Sequence, residues 1–370
     1  MRRALAIAMG VLVTTLAVPM VLRSPSRAQS ESAVRTPEAL RRPADQTYLT
    51  YPEWFLVFSP EEYADWVEER PPTDFPFLRH VIDVWAGYAD ITGAIPASEP
   101  TNWGYHAMIW VIAGSTTAEY AVRAIYESSI GRVSAATVLT PQADGQLTNE
   151  DRFGATVARE YERFLRQAAW YDYDWAHAFT RLWTEVPFTW SSPVRAIERR
   201  YWLSTEYLFK LGYAQLLRWA SHTTFDEASF EARTSAVVHD LPDGFALREA
   251  AEGDGLRIEQ RWDDGAMLVT LPRYQAFLAA AHELADAGVS FEEIAGNRGR
   301  ILVSMRAEIG WTPSHGRVLR RDAIGTQPGR ERILFDVPIA ELAETIRGAT
   351  LVRAGEPHGE GPELEHVYDF

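Results

Sequence analysis

The sequence predicts a mixed fold: an N-terminal membrane helix, an aromatic-rich helical bundle, and a C-terminal ferredoxin-like α+β sandwich. Three observations predict it. A charge-free, mostly apolar stretch runs from Ala4 to Leu22. Helix-spaced apolar residues then dominate to about residue 222, and 11 of the 13 tryptophans and 13 of the 15 tyrosines precede residue 220. From about residue 230, short alternating runs separated by glycine-containing turns take over. With 46% hydrophobic and 24% charged residues, the 370-residue chain has a globular composition and enough length for two ordinary domains.

The N-terminal element is justified by length. At 1.5 Å per residue the run from Ala4 to Leu22 makes about 28 Å of helix, close to the ~30 Å hydrocarbon thickness of a bilayer. An uncleaved anchor over residues 1–22 is therefore expected; the alternative is a signal peptide cut near Ser26-Arg27-Ala28. Arg23, Arg27, Arg35, Arg41 and Arg42 follow the run, which favours a cytoplasmic body, whereas the signal-like layout favours export. The expectation is an inner-membrane protein with one span and a periplasmic body. Residues 23–45 are polar and rich in Pro, Ser, Arg and Ala, and read as a flexible tether.

The helical domain is expected over residues 46–222. Pro52 breaks the first apolar run, which reads as a short strand or a buried helical turn. Ser59-Pro60-Glu61-Glu62 is a helix start, with an N-cap, proline at the first position and acids at the positive dipole end. Phe77, Val81, Val84, Trp85 and Tyr88 keep helical spacing. A third helix is predicted from about Tyr105 to Arg132, ended by Gly131, and a fourth after the capped, acidic start Thr148-Asn149-Glu150-Asp151. A loop is expected around Val138–Gln146, and a fifth helix from Ser192 to Ser221.

The α+β domain is expected over residues 230–370. Strands are predicted at Thr234–His239, Leu256–Trp262, Ala266–Leu271, Phe291–Ala295, Arg300–Arg306, Arg317–Ile324, Arg332–Val337 and Leu364–Tyr368. Helices are predicted at Tyr274–Ala287 and Ala340–Arg347. Hairpins are read at Asp263-Asp264-Gly265 and at Gly296-Asn297-Arg298-Gly299, with a turn at Pro328-Gly329. From Ala266 onward the order approximates that of a ferredoxin-like sandwich with an inserted strand. Arg298, Arg300, Arg320, Arg321 and Arg330 gather near the turns, as an anion site or as solvated edge residues.

Composition excludes several functions. The net charge of −15 repels a polyanion, so no nucleic-acid partner is expected. The absence of cysteine removes disulfides, thiolate metal sites and a cysteine nucleophile. Lys210 is the only lysine.

The segment Tyr51-Pro52-Glu53-Trp54-Phe55-Leu56-Val57-Phe58 resembles an uncharacterised proteobacterial family of membrane-anchored proteins. So do Thr117-Ala118-Glu119 with Tyr126-Glu127-Ser128-Ser129-Ile130-Gly131-Arg132, Ile197-Glu198-Arg199-Arg200 with Glu206-Tyr207, and the C-terminal Leu364-Glu365-His366-Val367-Tyr368-Asp369-Phe370. The resemblance covers most of the chain. It implies the anchored architecture and carries no activity.

Two acids interrupt apolar helix faces. Glu119 shares a face with Met108, Ile112, Ser115, Val122 and Tyr126; Glu206 shares one with Trp202, Phe209 and Tyr213. A carboxylate so placed must be paired, be hydrogen-bonded or take up a proton. Arg123, Arg132, Arg199, Arg200 and Lys210 stand close by as structural partners. The catalytic alternative sets Glu119 and Glu206 across a cavity, joined by His106 or His177. Tyr126, Glu127, Arg132, Arg199, Arg200 and Trp202 are the binding candidates. No suspect acid has a histidine three residues later, and no nucleotide-binding, His-Glu-x-x-His or serine-hydrolase motif is present, so no metal or cofactor is expected. Two functions follow: a membrane-anchored envelope module that binds an apolar or protein partner, and an enzyme acting on a lipid or other apolar substrate. Aromatics crowded before residue 220 serve a bulky core, an apolar groove or a membrane-resting face.

Overall fold

The computed structural model describes residues 34–43, 45–97, 101–138, 147–166, 168, 170–224, 233–248, 255–273, 275–352 and 361–368. The anchor expected at 1–22 and most of the loop expected at 138–146 lie outside them. No described helix is long and apolar enough to cross a membrane.

The helical half comprises α1 (Gln46–Glu69), α2 (Phe77–Ala94), α3 (Trp103–Tyr126), a π-helical turn (Glu127–Gly131) that runs on into α4 (Arg132–Ala135), α5 (Asn149–Leu165), α6 (Trp175–Thr184) and α7 (Pro193–Thr224). The α+β half comprises β1 (Arg233–His239), β2 (Arg257–Arg261), β3 (Met267–Pro272), α8 (Gln275–Asp286), β4 (Ser290–Ile294), β5 (Arg300–Glu308), β6 (Arg317–Ala323), β7 (Arg330–Pro338), α9 (Ile339–Ile346), β8 (Thr350–Leu351) and β9 (Glu363–Val367).

Helix α1 corrects the expectation of a break at Pro52 and a start at Ser59. It passes through both Pro52 and Pro60, and 15 of its 24 residues are buried. Each proline removes one backbone donor, at a cost of about 3 kcal/mol inside a helix. Burial on nearly every side offsets that loss, with the buried Glu61 and Glu62 paired to arginines. One side of α1 packs on α2, α3 and α5. Gly87 of α2 admits the Tyr51 ring, since a Cβ there would stand 2.8 Å from Tyr51 Cε1. The other side places Tyr48, Tyr51, Trp54 and Phe58 against Leu302, Leu334 and Tyr368 of the C-terminal half. The α5 start is as predicted: the Thr148 hydroxyl accepts from Asp151 N–H, and the Asp151 side chain closes a capping box. Helix α6 was not foreseen.

The strands form two sheets rather than the single ferredoxin-like one. One sheet has the order β2-β3-β1-β4, the other β6-β7-β5-β9-β8. All neighbours are antiparallel except β8 and β9. The turn at Gly296–Gly299 is therefore a crossing between sheets, not a hairpin, because β4 pairs with β1 whereas β5 pairs with β7 and β9. Helices α8 and α9 touch both sheets, and Val238, Phe277, Phe291, Val303, Phe335 and Ile339 share one core.

Period-2 alternation gives the second sheet two buried faces. Val303 and Met305 face the α8/α9 core, while Leu302 joins the α1 cluster and Arg306 reaches Glu61 of α1. In β9, Glu365 is the extra residue of a β-bulge, since Ser304 pairs with His366 and Met305 with Leu364.

Residues 34–43, read as part of the tether, are bound instead. Glu293 of β4 accepts from the Arg35 and Thr36 backbone N–H groups and from the Thr36 hydroxyl, and Arg42 N–H donates to Ala295 O.

Candidate functional site

The sequence-selected residues meet where α3, the π-turn and α4 face α7. The two strands of residues run in opposite directions, with Arg123 opposite Glu206 and Glu127 opposite Arg199. Glu206, only 11% exposed, bonds the Arg123 guanidinium and lies 2.9 Å from Lys210 Nζ. The same Nζ is 3.2 Å from Glu119, which also lies 3.3 Å from Arg123 Nε and is 37% exposed. The chain's only lysine thus stands between the two suspect carboxylates, held over the Trp175 ring at 4.6 Å.

Burial pushes the Glu206 carboxyl upward, but Arg123 and Lys210 outweigh it and hold the group at about 2. A general acid at neutral pH needs the opposite shift. The Arg123 guanidinium and the Lys210 ammonium each contact both Glu119 and Glu206. His106 does not join them. It sits thirteen residues before Glu119, roughly 20 Å away along α3, is buried, and bonds Tyr88 OH through Nδ1 at 2.8 Å. His177 is exposed at the start of α6.

The π-turn carries a second cluster. Its wider winding brings Glu127 back over Gly131, where a Cβ would stand 2.4 Å from Glu127 Oε2. Arg199 forks onto Glu127, with Nη1 donating to Oε1 at 2.9 Å and Nη2 to Oε2 at 3.2 Å. Glu198 accepts from Arg199 Nε at 2.9 Å, Arg195 Nη1 at 3.0 Å and the Ser134 hydroxyl at 2.7 Å. Arg195 continues to Asp151 at 2.8 Å, and Arg200 to Glu150 at 3.0 Å. Tyr126 stacks on Trp202 with centroids 3.8 Å apart.

Burial raises the Glu127 carboxyl against the pull of Arg199. Burial also pushes Glu198 upward, but Arg199, Arg195 and Ser134 prevail and leave it low. Of the six binding candidates, Tyr126, Glu127, Arg199 and Trp202 meet here, and Arg200 serves the adjoining acid. Arg132 stands apart on the surface, paired with Asp74. The expected helix end at Gly131-Arg132 is corrected: the chain turns on as a helix to Ala135.

A third network, between α1 and the second sheet, was not foreseen. Arg306 bonds Glu61 and Glu365, each at 2.5 Å, and Arg332 bonds Glu365 at 2.7 Å and Glu62 at 3.1 Å. Burial pushes Glu365 up, but its two arginines hold it at about 2. Beside this network, Ser59 Oγ lies 2.9 Å from His80 Nδ1, and His80 Nε2 lies 3.7 Å from Glu62. The residue types are those of a Ser-His-acid relay, but the site is sealed. Ser59 is 1% exposed within helix α1. Its hydroxyl also meets Tyr120 OH at 2.7 Å, and Phe75 lies over the imidazole at 4.8 Å. Burial takes His80 down to about 4, so the ring is neutral at pH 7.

The arginines predicted near turns are also paired: Arg298 with Glu292, Arg300 with Asp336, Arg321 with Glu331, Arg330 with Glu363, and Arg320 with Asp83, Asp90 and Asp322. Among the described residues, no three His, Asp or Glu side chains are grouped to hold a metal ion. A crevice beside Arg199, between Tyr63 and Leu203, has a volume of about 20 Å³, enough for about one water and not for a drug-sized ligand. A wider, open depression along α5, about 370 Å³, is bordered by the charged side chains of Arg152, Arg159, Arg163, Glu68 and Glu160. No family model, curated protein or solved structure matches the chain.

Proposed function

We propose that the protein is a membrane-anchored envelope module that binds or assembles with an apolar or protein partner and does no chemistry at the Glu119–Glu206 cluster. One observation carries this reading: the acids and bases of the α3–α7 interface answer one another, with Glu119 alone of them reaching the surface. Glu206 is ionised and clamped by Arg123 and Lys210, and Glu127 by Arg199. Such a site holds Glu206 as a carboxylate with no proton to give. The apolar stretch Ala4–Leu22 supports an anchor in the inner membrane, and its signal-like layout supports a periplasmic body against the arginines that follow it.

The test is fractionation of cells making the full chain, followed by mass spectrometry of lipids and proteins retained on the detergent-extracted material. The expected result is retention in alkali-washed membranes with a bound apolar or protein partner. Release into the soluble fraction overturns the anchor. A turnover lost in Glu206→Gln with unfolding stability intact overturns the non-catalytic reading in favour of a lipid-modifying enzyme.

A further inference from the structure

Helices α3 and α7 are inside out. Between Trp103 and Tyr126, α3 has two charged residues, Glu119 and Arg123, and both are tied to α7 partners. Between Pro193 and Leu216, α7 has Arg195, Glu198, Arg199, Arg200, Glu206 and Lys210, and each is buried or nearly so in the networks described above. These charges point in beside buried Ile109, Tyr120, Leu203 and Tyr207, and the outward faces carry mainly apolar side chains, with Arg132 on the α3 continuation an exposed exception. On α3 and its continuation these recur at helical spacing as Trp103, Val111, Val122, Ile125 and Val133, with Ile125 71% exposed. On α7 they are Val194, Ile197, Tyr201, Leu208 and Phe209, with Ile197 62% exposed. A helix on a water-facing surface carries more charge outward, and a face so poor in charge from Trp103 to Ile125 marks an interaction surface.

The sequence favours one occupant. The chain carries its own bilayer-length apolar run at Ala4–Leu22, and eleven residues separate it from Val34, where the described chain begins. Eleven residues span at most about 40 Å. From Val34 the chain runs along β4, where Glu293 accepts from Arg35 N–H, and reaches the start of α3 at Asp45, which accepts from Asn102 N–H at 3.1 Å. The apolar run itself is too small a cover: as a helix it is about 28 Å long, whereas residues 103–135 extend for about 50 Å and α7 lies beside them. No described helix is apolar enough to cross a bilayer, so the face would lie on lipid rather than pass through it.

We propose that the outward faces of α3 and α7 rest in the interfacial layer of the bilayer that holds the N-terminal anchor. This inference builds on the membrane-anchored reading above. The cysteine-free chain allows a single reporter at each position. Full-length Val122→Cys and Ile197→Cys, each carrying an environment-sensitive fluorophore, are reconstituted into phosphatidylcholine vesicles. Ser314→Cys, in the β5–β6 connection next to His315 and hence beside α9, is the control.

The expected result is emission shifted to the blue at positions 122 and 197 and quenched by spin-labelled lipid, with position 314 unaffected. Vesicle flotation with all three labels equally aqueous overturns the inference and leaves the anchor intact. Labels at 122 and 197 shielded from lipid and aqueous quenchers alike, with cysteine crosslinks between copies, overturn it in favour of a second copy. Failure to float removes the anchor reading and this inference together.

Discussion

Replacing Glu206 by glutamine tests the ion-paired interface most sharply. The substitution keeps shape and hydrogen-bonding capacity and removes one charge. Two routes give its size. The carboxyl lies at about 2 against an ordinary 4.5, and at 1.36 kcal/mol per unit this linkage is worth about 3 kcal/mol at neutral pH. Removing one partner of a buried pair costs about 3–5 kcal/mol, and Arg123 keeps partly exposed Glu119 as a second partner, which places the loss at the lower end. The sign follows from the depressed value. Stability is complete above the unfolded-state pKa near 4.5 and is lost as the pH falls toward 2. Urea unfolding of wild type and Glu206→Gln should differ by about 3 kcal/mol at pH 7, by about 1 kcal/mol at pH 3, and by almost nothing at pH 2. A deficit unchanged between pH 7 and pH 3, or one below about 1 kcal/mol at pH 7, refutes the clamped carboxylate. The partner variant Glu119→Gln, at a 37% exposed site, should lose less than about 1 kcal/mol.

Gly131→Ala should cost about 2 kcal/mol or more, because its methyl group meets the Glu127 carboxylate and loosens a buried ion pair. Gly212→Ala, with open space around it on α7, should gain about 0.5–1 kcal/mol of helix propensity; equal effects in thermal melts would count against the π-turn geometry. Thr148→Ala should lose about 1 kcal/mol with its capping box, and no change in α5 amide exchange would contradict the cap. His366 is buried against Trp54, and neither ring nitrogen has a hydrogen-bond partner. Burial takes it down to about 3 from 6.5. The unfolded chain therefore binds its proton first, and stability falls as pH drops from 6.5 toward 3. His366→Phe should be neutral or stabilising by about 1 kcal/mol at pH 7 and should flatten that acid slope; an unchanged slope assigns the acid sensitivity elsewhere.

What was legible in the sequence was local. The Thr148 cap, the α7 start at Pro193 and the strand runs of the C-terminal half are each fixed by neighbours a few residues away, and each formed near its predicted place. The pairing of strands was not legible. Gly296–Gly299 reads as a hairpin turn by its residues, yet β4 and β5 enter different sheets because each has a better long-range partner. Pro52 misled for the same reason: its local penalty is real, but burial of α1 between helices and a sheet outweighs it. Glu61 and Glu62 read as acids at a helix start. Their roles depend on Arg306 and Arg332, and Glu61 and Arg306 are 245 residues apart. The usable signal was at the other end, in the even-numbered face of β5, where Leu302 and Ser304 lead to a buried Arg306.

The two halves of the helical interface constrain each other. A buried ion pair adds little stability over apolar residues of similar volume and often less. Holding seven charged residues of α3 and α7 inside, with Glu119 at the rim, is therefore a poor way to make a water-facing pair of helices. Turning both helices over would hydrate those charges and bury Val122, Ile125, Ile197 and Leu208 at about 25 cal/mol per Å² of apolar surface, while exposing Ile109, Tyr120, Leu203 and Tyr207 of the present inner faces. The arrangement is stable only because the interior charges are matched almost one to one, with Arg123, Lys210 and Arg199 against Glu206, Glu119 and Glu127. That matching gives the outward face its freedom from charge. The interior salt bridges and the exposed apolar stripe are thus two consequences of one sequence pattern. A single charge placed outward at Val122 should disturb what the face touches while leaving the interior network, and hence urea unfolding, almost unchanged.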